Sequence, residues 1–142
     1  MIVRRWLTGD TERLVIQPAQ QYMHSMVDVA TDLSRLSQKG LAWTGEAEGQ
    51  VIVIAGLMPI WENRALAWAM ISESAGPHFA AIHKAVIKGI VDSGIRRVEA
   101  TVDIGFDQGH RWMKMLGFEL EGYMKAYRPD GADMLLYARV AP

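Results

Sequence analysis

The sequence predicts an α/β (α+β) fold: a single domain over residues 1–142, with a mixed, mostly antiparallel sheet flanked by helices. Three observations predict it. Short apolar stretches bounded by turn residues fill the middle and the end of the chain, as strands do. One of them, "VIVIAGL", is apolar on both faces, which suits a covered central strand. A long amphipathic stretch then separates two apolar strands, and a helical crossover of that kind joins parallel neighbours.

The elements follow in order. "MIVRRWL" alternates loosely and reads as the first strand. "TGDTERL" starts a short helix, with Thr8 or Asp10 as its cap. From about Pro18 to Lys39 the chain reads as helical. Met23, Met26, Val27, Ala30, Leu33 and Leu36 recur at spacings of three and four, and Gly40 stops the run. "LAWTGEAEGQVIVIAGLMPIW" is a hairpin turning at Glu48-Gly49. "ENR" makes the next turn and "ALAWAMIS" the next strand.

In "ESAGPHFAAIHKAVIKGIVDSG", Pro77 fits the first helical position, where a missing N–H costs little. Phe79, Ile82, Val86, Ile87, Ile90 and Val91 form a wide apolar stripe, and Gly94 closes the helix. "RRVEATV" is a strand. "DQGHRWMKML" is a short helix with Asp107 as cap. Gly117 stands where a left-handed C-cap residue belongs, and Phe118 can pack back on Met113. "FELEGYMKAYRP" and "DMLLYARV" pair around the turn sequence "PDG".

Composition narrows the function. The net charge is -1, which gives no support for nucleic-acid binding. There are no cysteines, so disulfides, thiolate metal sites and thiol nucleophiles are excluded. The longest apolar run is too short to span a bilayer. "MIVRRWLTGD" lacks the pattern of a signal peptide, so an intracellular, non-membrane protein is expected.

The element order, ending in "MKMLGFELEGYMKAYRPDGADMLLYARV", resembles the GCN5-related N-acetyltransferases. "WTGEAEGQVIVIAGLMPIW", "RRVEATVD" and "RWMKMLGFELEG" look most like short acetyltransferase-like proteins of tailed phages, some of them internal virion proteins. The resemblance implies acetyl-CoA as the acyl donor and an amine as acceptor, in the host cytoplasm or in a virion, and leaves room for a homodimer. It also implies a splay between the fourth and fifth strands, which admits the pantetheine arm. The segment "SESAGPHF", Ser72 to Phe79, would wrap the diphosphate at the start of the long helix. Ile71, Ser72, Ser74, Gly76 and His78 are its candidate cofactor contacts, with Arg111 for the 3′-phosphate.

Two departures from the family pattern matter. The Gly-rich phosphate motif is reduced to Gly76, followed by Pro77, and Glu73 adds a negative charge. No Lys or Arg occurs between Arg64 and Lys84. Weak acetyl-CoA binding is the expectation. Counting back from Gly117, the family's usual Asn falls on Phe106, its Ala on Gly109, and its proton-donating Tyr on Met113, which has no proton to give.

Glu62 and Glu73 are candidate bases for deprotonating an amine, against the commoner role of a solvated loop charge. Tyr123, Tyr127 and Tyr137 are candidate thiolate acids, Tyr127 first because Arg128 stands beside it. The commoner role for such residues is cross-strand packing. Trp43, Trp61 and Trp68 read as core, or as the wall of an acceptor pocket. His24, His78, His83 and His110 do not space as metal ligands. Two functions follow: an acetyl-CoA-dependent N-acetyltransferase, or a non-catalytic relative that keeps the fold as a structural or binding protein.

Overall fold

The computed structural model describes residues 1–23 and 30–142. Met26 and Val27 of the expected early helix, and His24, lie outside the described residues. The strands are β1 (Ile2–Arg5), β2 (Ala42–Ala47), β3 (Gln50–Trp61), β4 (Arg64–Ile71), β5 (Arg97–Asp103), β6 (Glu119–Met124) and β7 (Met134–Val140). The helices are α1 (Asp10–Arg13), α2 (Ala30–Gln38), α3 (Phe79–Ser93) and α4 (Asp107–Met115). Short 3-10 turns cover Pro18–Gln20 and Gly76–His78.

The seven strands form one sheet in the order β1-β2-β3-β4-β5-β7-β6. Pairing is antiparallel for β1 with β2, β2 with β3, β5 with β7 and β6 with β7. It is parallel for β4 with β5, as the α3 crossover requires. That parallel register covers only Arg64↔Arg97, Ala65↔Val98 and Leu66↔Glu99.

The chain divides into two compact units, Met1–Met58 with Trp68–Ser93, and Pro59–Ala67 with Gly94–Pro142. The first is built on β3, whose residues from Val51 to Leu57 are all buried, so both faces are covered. Trp6, Leu14, Ile16, Leu33 and Met70 join Ile54 in its core. The β2–β3 hairpin turns at Glu48 (φ 53) and Gly49 (φ 75), the two positive φ values of a type I′ turn. In the second unit Val98, Val102, Met113, Phe118 and Tyr137 are buried.

Several local expectations need correcting. Neither Thr8 nor Asp10 caps α1: Gly9 holds the cap position, and Asp10 is the first helical residue, turned inward. Asp107 does not cap α4, because Phe106 occupies that position and Asp107 lies in the first turn. The apolar stripe of α3 is narrower than its spacing suggests. Ile82 and Ile90 are buried, while Phe79 and Val91 are 37% and 58% exposed. The last hairpin is shorter: β6 ends at Met124, and Tyr127 falls in the loop beyond it. The "PDG" turn itself is present, with the Gly131 N–H donating to the Arg128 carbonyl at 2.8 Å.

Two helices end in the same way. At the end of α4, Phe118 N–H donates to Met113 C=O (2.9 Å) and Gly117 N–H to Lys114 C=O (3.0 Å). Gly117 has φ 82, and Phe118 is buried. This pair of bonds satisfies carbonyls that the helix cannot, and it needs a left-handed residue at the second position. Gly40 closes α2 with the matching bonds, Leu41 N–H to Leu36 C=O and Gly40 N–H to Ser37 C=O. Gly117→Val should therefore cost about 1–3 kcal/mol, since a β-branched residue adopts positive φ only under strain. A thermal melt of the variant superimposing on that of the parent would count against this cap.

Candidate functional site

In the first unit the end of β4 and the segment after it form a closely bonded strip. Ser72 is buried and bridges Ile16. Its N–H donates to Ile52 C=O at 2.9 Å, and Glu73 N–H donates to Val15 C=O at 3.0 Å. Ser74 N–H donates to the Ser72 hydroxyl at 3.1 Å. Ala75 N–H turns back to Ser72 C=O, and His78 N–H to Ala75 C=O. Pro77 has no N–H to give. Gly76 is thus left as the residue of Ser72–His78 whose N–H is outside this set of donors. A phosphate at a helix start needs such donors free, so this segment is a poor diphosphate cradle. The exposed carboxylate of Glu73 adds a repulsive charge.

The Ala69–Ile71 edge is also engaged. The buried side chain of Gln20 accepts from Ile71 N–H at 2.9 Å and donates to Ala69 C=O at 2.8 Å. Gln17 N–H donates to Ile71 C=O at 2.8 Å.

In the second unit Glu99 is buried on β5 between two arginines. Arg64 donates to both of its oxygens, and Arg97 adds a bond at 2.9 Å. The Arg64 bond, opposed by burial and joined by Arg97, holds the Glu99 carboxyl below the usual range. Arg97 reaches on to Glu121, and the Arg64 guanidinium lies 4.4 Å from the centre of the Trp61 ring. Trp61 is thereby 66% exposed at the end of β3 and is not core.

On α4, His110 joins elements far apart in sequence. Its Nε2 lies 3.1 Å from Ile104 C=O, and its Nδ1 lies 2.8 Å from the Tyr137 hydroxyl. A carbonyl only accepts, so Nε2 carries the proton and Nδ1 accepts from Tyr137. Burial pushes the Tyr137 hydroxyl pKa up. Gly109 precedes His110 because a Cβ there would stand 2.8 Å from both the Phe106 ring and Val102. The space beside the helix that an alanine would take is thus filled by Phe106.

No protein-family model matches the sequence, and no curated protein does. Solved structures do match. A ribosomal-protein-alanine N-acetyltransferase from Brucella melitensis superimposes with a TM-score of 0.79 at 15% identity, over 99% of this chain and 100% of that one. Ard1 from Thermoplasma volcanium gives 0.77 at 14% identity, over 99% and 97%. A GNAT superfamily phosphinothricin acetyltransferase from Sinorhizobium meliloti, solved with AcCoA, gives 0.71 at 20% identity, over 98% and 87%. The chain has the GNAT fold.

Within the GNAT fold the expected residues fall as follows. Ile71, Ser72, Ser74, Gly76 and His78 form one continuous strip, with Glu73 exposed upon it. Glu62 is exposed in the β3–β4 turn, Tyr127 is exposed in the β6–β7 loop, and Arg111 is exposed on α4. These three lie on separate elements. Met113 is buried and takes part in the helix cap. Tyr123 donates to Asp133, which leaves its hydroxyl engaged at the loop. Among the described residues no group of three or more His, Asp or Glu could hold a metal, and no helix is long and apolar enough to cross a membrane. Sequence reading missed Gln20 and the His110–Tyr137 pair. Both are contacts between residues 27 or more apart in sequence, and no local pattern announces them.

Proposed function

We propose that the chain is an N-acetyltransferase that moves an acetyl group from acetyl-CoA to an amine. The observation that carries this reading is the GNAT fold over the whole chain, with a β4–β5 pairing that stops at Leu66↔Glu99. Beyond Leu66 the backbone of β4 is the edge on which a pantetheine arm would lie. Glu62 and Glu73 are the candidate carboxylates for taking the amine proton, directly or through water. The amine nitrogen then attacks the thioester carbonyl, and the departing thiolate needs a proton. Ser72, Ser74, Gly76 and His78 would face the cofactor, with Arg111 for its 3′-phosphate. Their poor supply of donors makes the binding weak.

Tyr127 and Tyr137 compete for the role of acid. Tyr127 has Arg128 beside it, but Arg128 is committed to Asp103 and Asp130. The Tyr137 hydroxyl lies 2.8 Å from His110 Nδ1, and the ring would have to gain a proton on Nδ1 before it could return one to Tyr137. We therefore expect Tyr137→Phe to lower turnover by about 10²-fold, within the usual span for general acid catalysis, and Tyr127→Phe to leave it unchanged. Melting curves run alongside separate lost chemistry from lost packing. Full turnover in Tyr137→Phe together with a collapse in Tyr127→Phe would return the role to Tyr127.

The second reading is a non-catalytic protein with the same fold. The engaged N–H groups of Ser72–His78 and the apolar Met113 favour it. The resemblance to phage-encoded proteins supports a place in a virion for such a protein, or in the host cytoplasm, as a monomer or homodimer. Calorimetric titration with acetyl-CoA and CoA, followed by turnover assays over a panel of amines, separates the two. Saturable heat with turnover supports the enzyme. Saturable heat without turnover supports the binding protein, and no heat removes the acetyl-CoA reading.

A further inference from the structure

We infer that Gln20 holds the Ala69–Ile71 edge of β4 closed in the present structure, against the extended, amide-bearing arm that the proposed function lays along it. The inference rests on the acetyl-CoA reading in one respect: the arm proposed is pantetheine, which carries two amides.

The geometry is that of a strand added to an edge. Alternate residues of a strand turn their N–H and C=O groups to the same side, so Ala69 and Ile71 present one C=O and one N–H to a common neighbour. The neighbour is a side chain. Gln20 Oε1 takes Ile71 N–H at 2.9 Å, and Gln20 Nε2 gives to Ala69 C=O at 2.8 Å. A primary amide used in this way does what the N–H and C=O of one residue of an added strand do. It satisfies one donor and one acceptor two residues apart.

The rest of the strap prepares Gln20 for this place. Leu14 and Ile16 are buried and anchor the chain. Gln17 N–H and Glu73 N–H complete a single antiparallel bridge around Ile16 and Ser72. Pro18 then opens the 3-10 turn that brings Gln20 back toward β4. Gln17 Nε2 donates to Gln20 Oε1 at 2.9 Å and fixes which way the amide faces. A buried amide is tolerated only when its polar atoms are bonded, and here both are.

An incoming arm with its own amides would replace these bonds one for one. The exchange in hydrogen bonds is close to even, so Gln20 lowers affinity without abolishing it. Two modest hydrogen bonds correspond to roughly tenfold in a dissociation constant.

The test is calorimetric titration of acetyl-CoA into the full chain and into Gln20→Ala. Alongside it, the side-chain amide resonances of Gln20 are followed in the parent as acetyl-CoA is added. The expected result is roughly tenfold tighter binding by Gln20→Ala, with the parent's Gln20 resonances shifting toward those of a solvated amide at saturation. Equal affinities, with Gln20 resonances unmoved at saturation, would overturn the strap and leave the acetyl-CoA reading standing. Absence of binding in both proteins would overturn both. Should Gln20→Ala fail to fold, the resonances in the parent decide alone: movement supports the strap, and saturation without movement overturns it.

Discussion

Replacing Asp10 with alanine should lower stability by about 3 kcal/mol, the low end of what breaking a buried ion pair costs. The carboxylate is buried, and four donors converge on it. Arg4 gives two bonds at 2.8 Å, one to each oxygen. Leu7 N–H adds one at 2.7 Å, and the Thr44 hydroxyl one at 2.8 Å. Alanine leaves Leu7 N–H and the Thr44 hydroxyl without this acceptor and strips Arg4 of its forked partner. Arg4 keeps Glu46, at 2.7 Å, and some contact with water, which holds the loss at the lower end.

The same site sets an acid limit. Burial is the largest single influence and pushes the Asp10 carboxyl up. The bonds from Arg4, Leu7 N–H and Thr44 outweigh it together and hold the pKa at about 2, below the ordinary 3.8. The folded-state value is thus the lower one. The stability it brings, about 2 kcal/mol, is complete above pH 3.8 and is lost as pH falls toward 2. Urea unfolding of the parent at pH 6 and at pH 2.5 should show this loss on top of that from other carboxylates. Asp10→Asn should lose less between the two. An equal drop in parent and variant would show that Asp10 titrates normally in the folded protein.

Gly56→Ala should be as damaging, about 3 kcal/mol, the top of the usual range for overpacking a core. Gly56 lies in the fully buried run of β3. A Cβ there would stand 2.6 Å from the Leu41 carbonyl oxygen and 2.6 Å from Cζ2 of Trp68. Trp68 could turn away, but the Leu41 carbonyl is backbone and accepts from Leu57 N–H at 2.9 Å. Relief therefore shifts the main chain at the join of α2 and β2. Thermal melting should fall by on the order of 10 °C. A smaller change than that of Gly49→Ala, at an exposed turn with open space around it, would refute the steric argument.

The elements and their order were legible in the sequence because each depends on neighbours a few residues away. Gly117 and Phe118 announce a helix end through the bonds they make to residues three to five back. Glu48-Gly49 announces a hairpin because Gly49 takes positive φ at no steric cost, and Glu48 is carried into it by the turn. "VIVIAGL" announces a covered strand because no polar face is present. The α3 crossover fixes that β4 and β5 run parallel.

The candidate site was legible only in part. Ser72 to Phe79 is a candidate through the resemblance alone, and Pro77 and Glu73 are where the segment departs from the family pattern. Asp10 looked like a helix cap, since Asp before an amphipathic turn usually is one. Its actual role depends on the β1–β2 register, which sets Arg4 opposite Thr44 and closes both around the carboxylate. His110 meets Tyr137, and Gln20 meets Ala69 and Ile71, on the same terms. Sequence alone determined the order of the elements and the glycine-marked turns and helix ends, where the energy is local and a residue type decides it. Tertiary structure decided which polar side chains meet, because a buried hydrogen bond needs both partners placed to within a few tenths of an ångström, and only the packed sheet sets that distance.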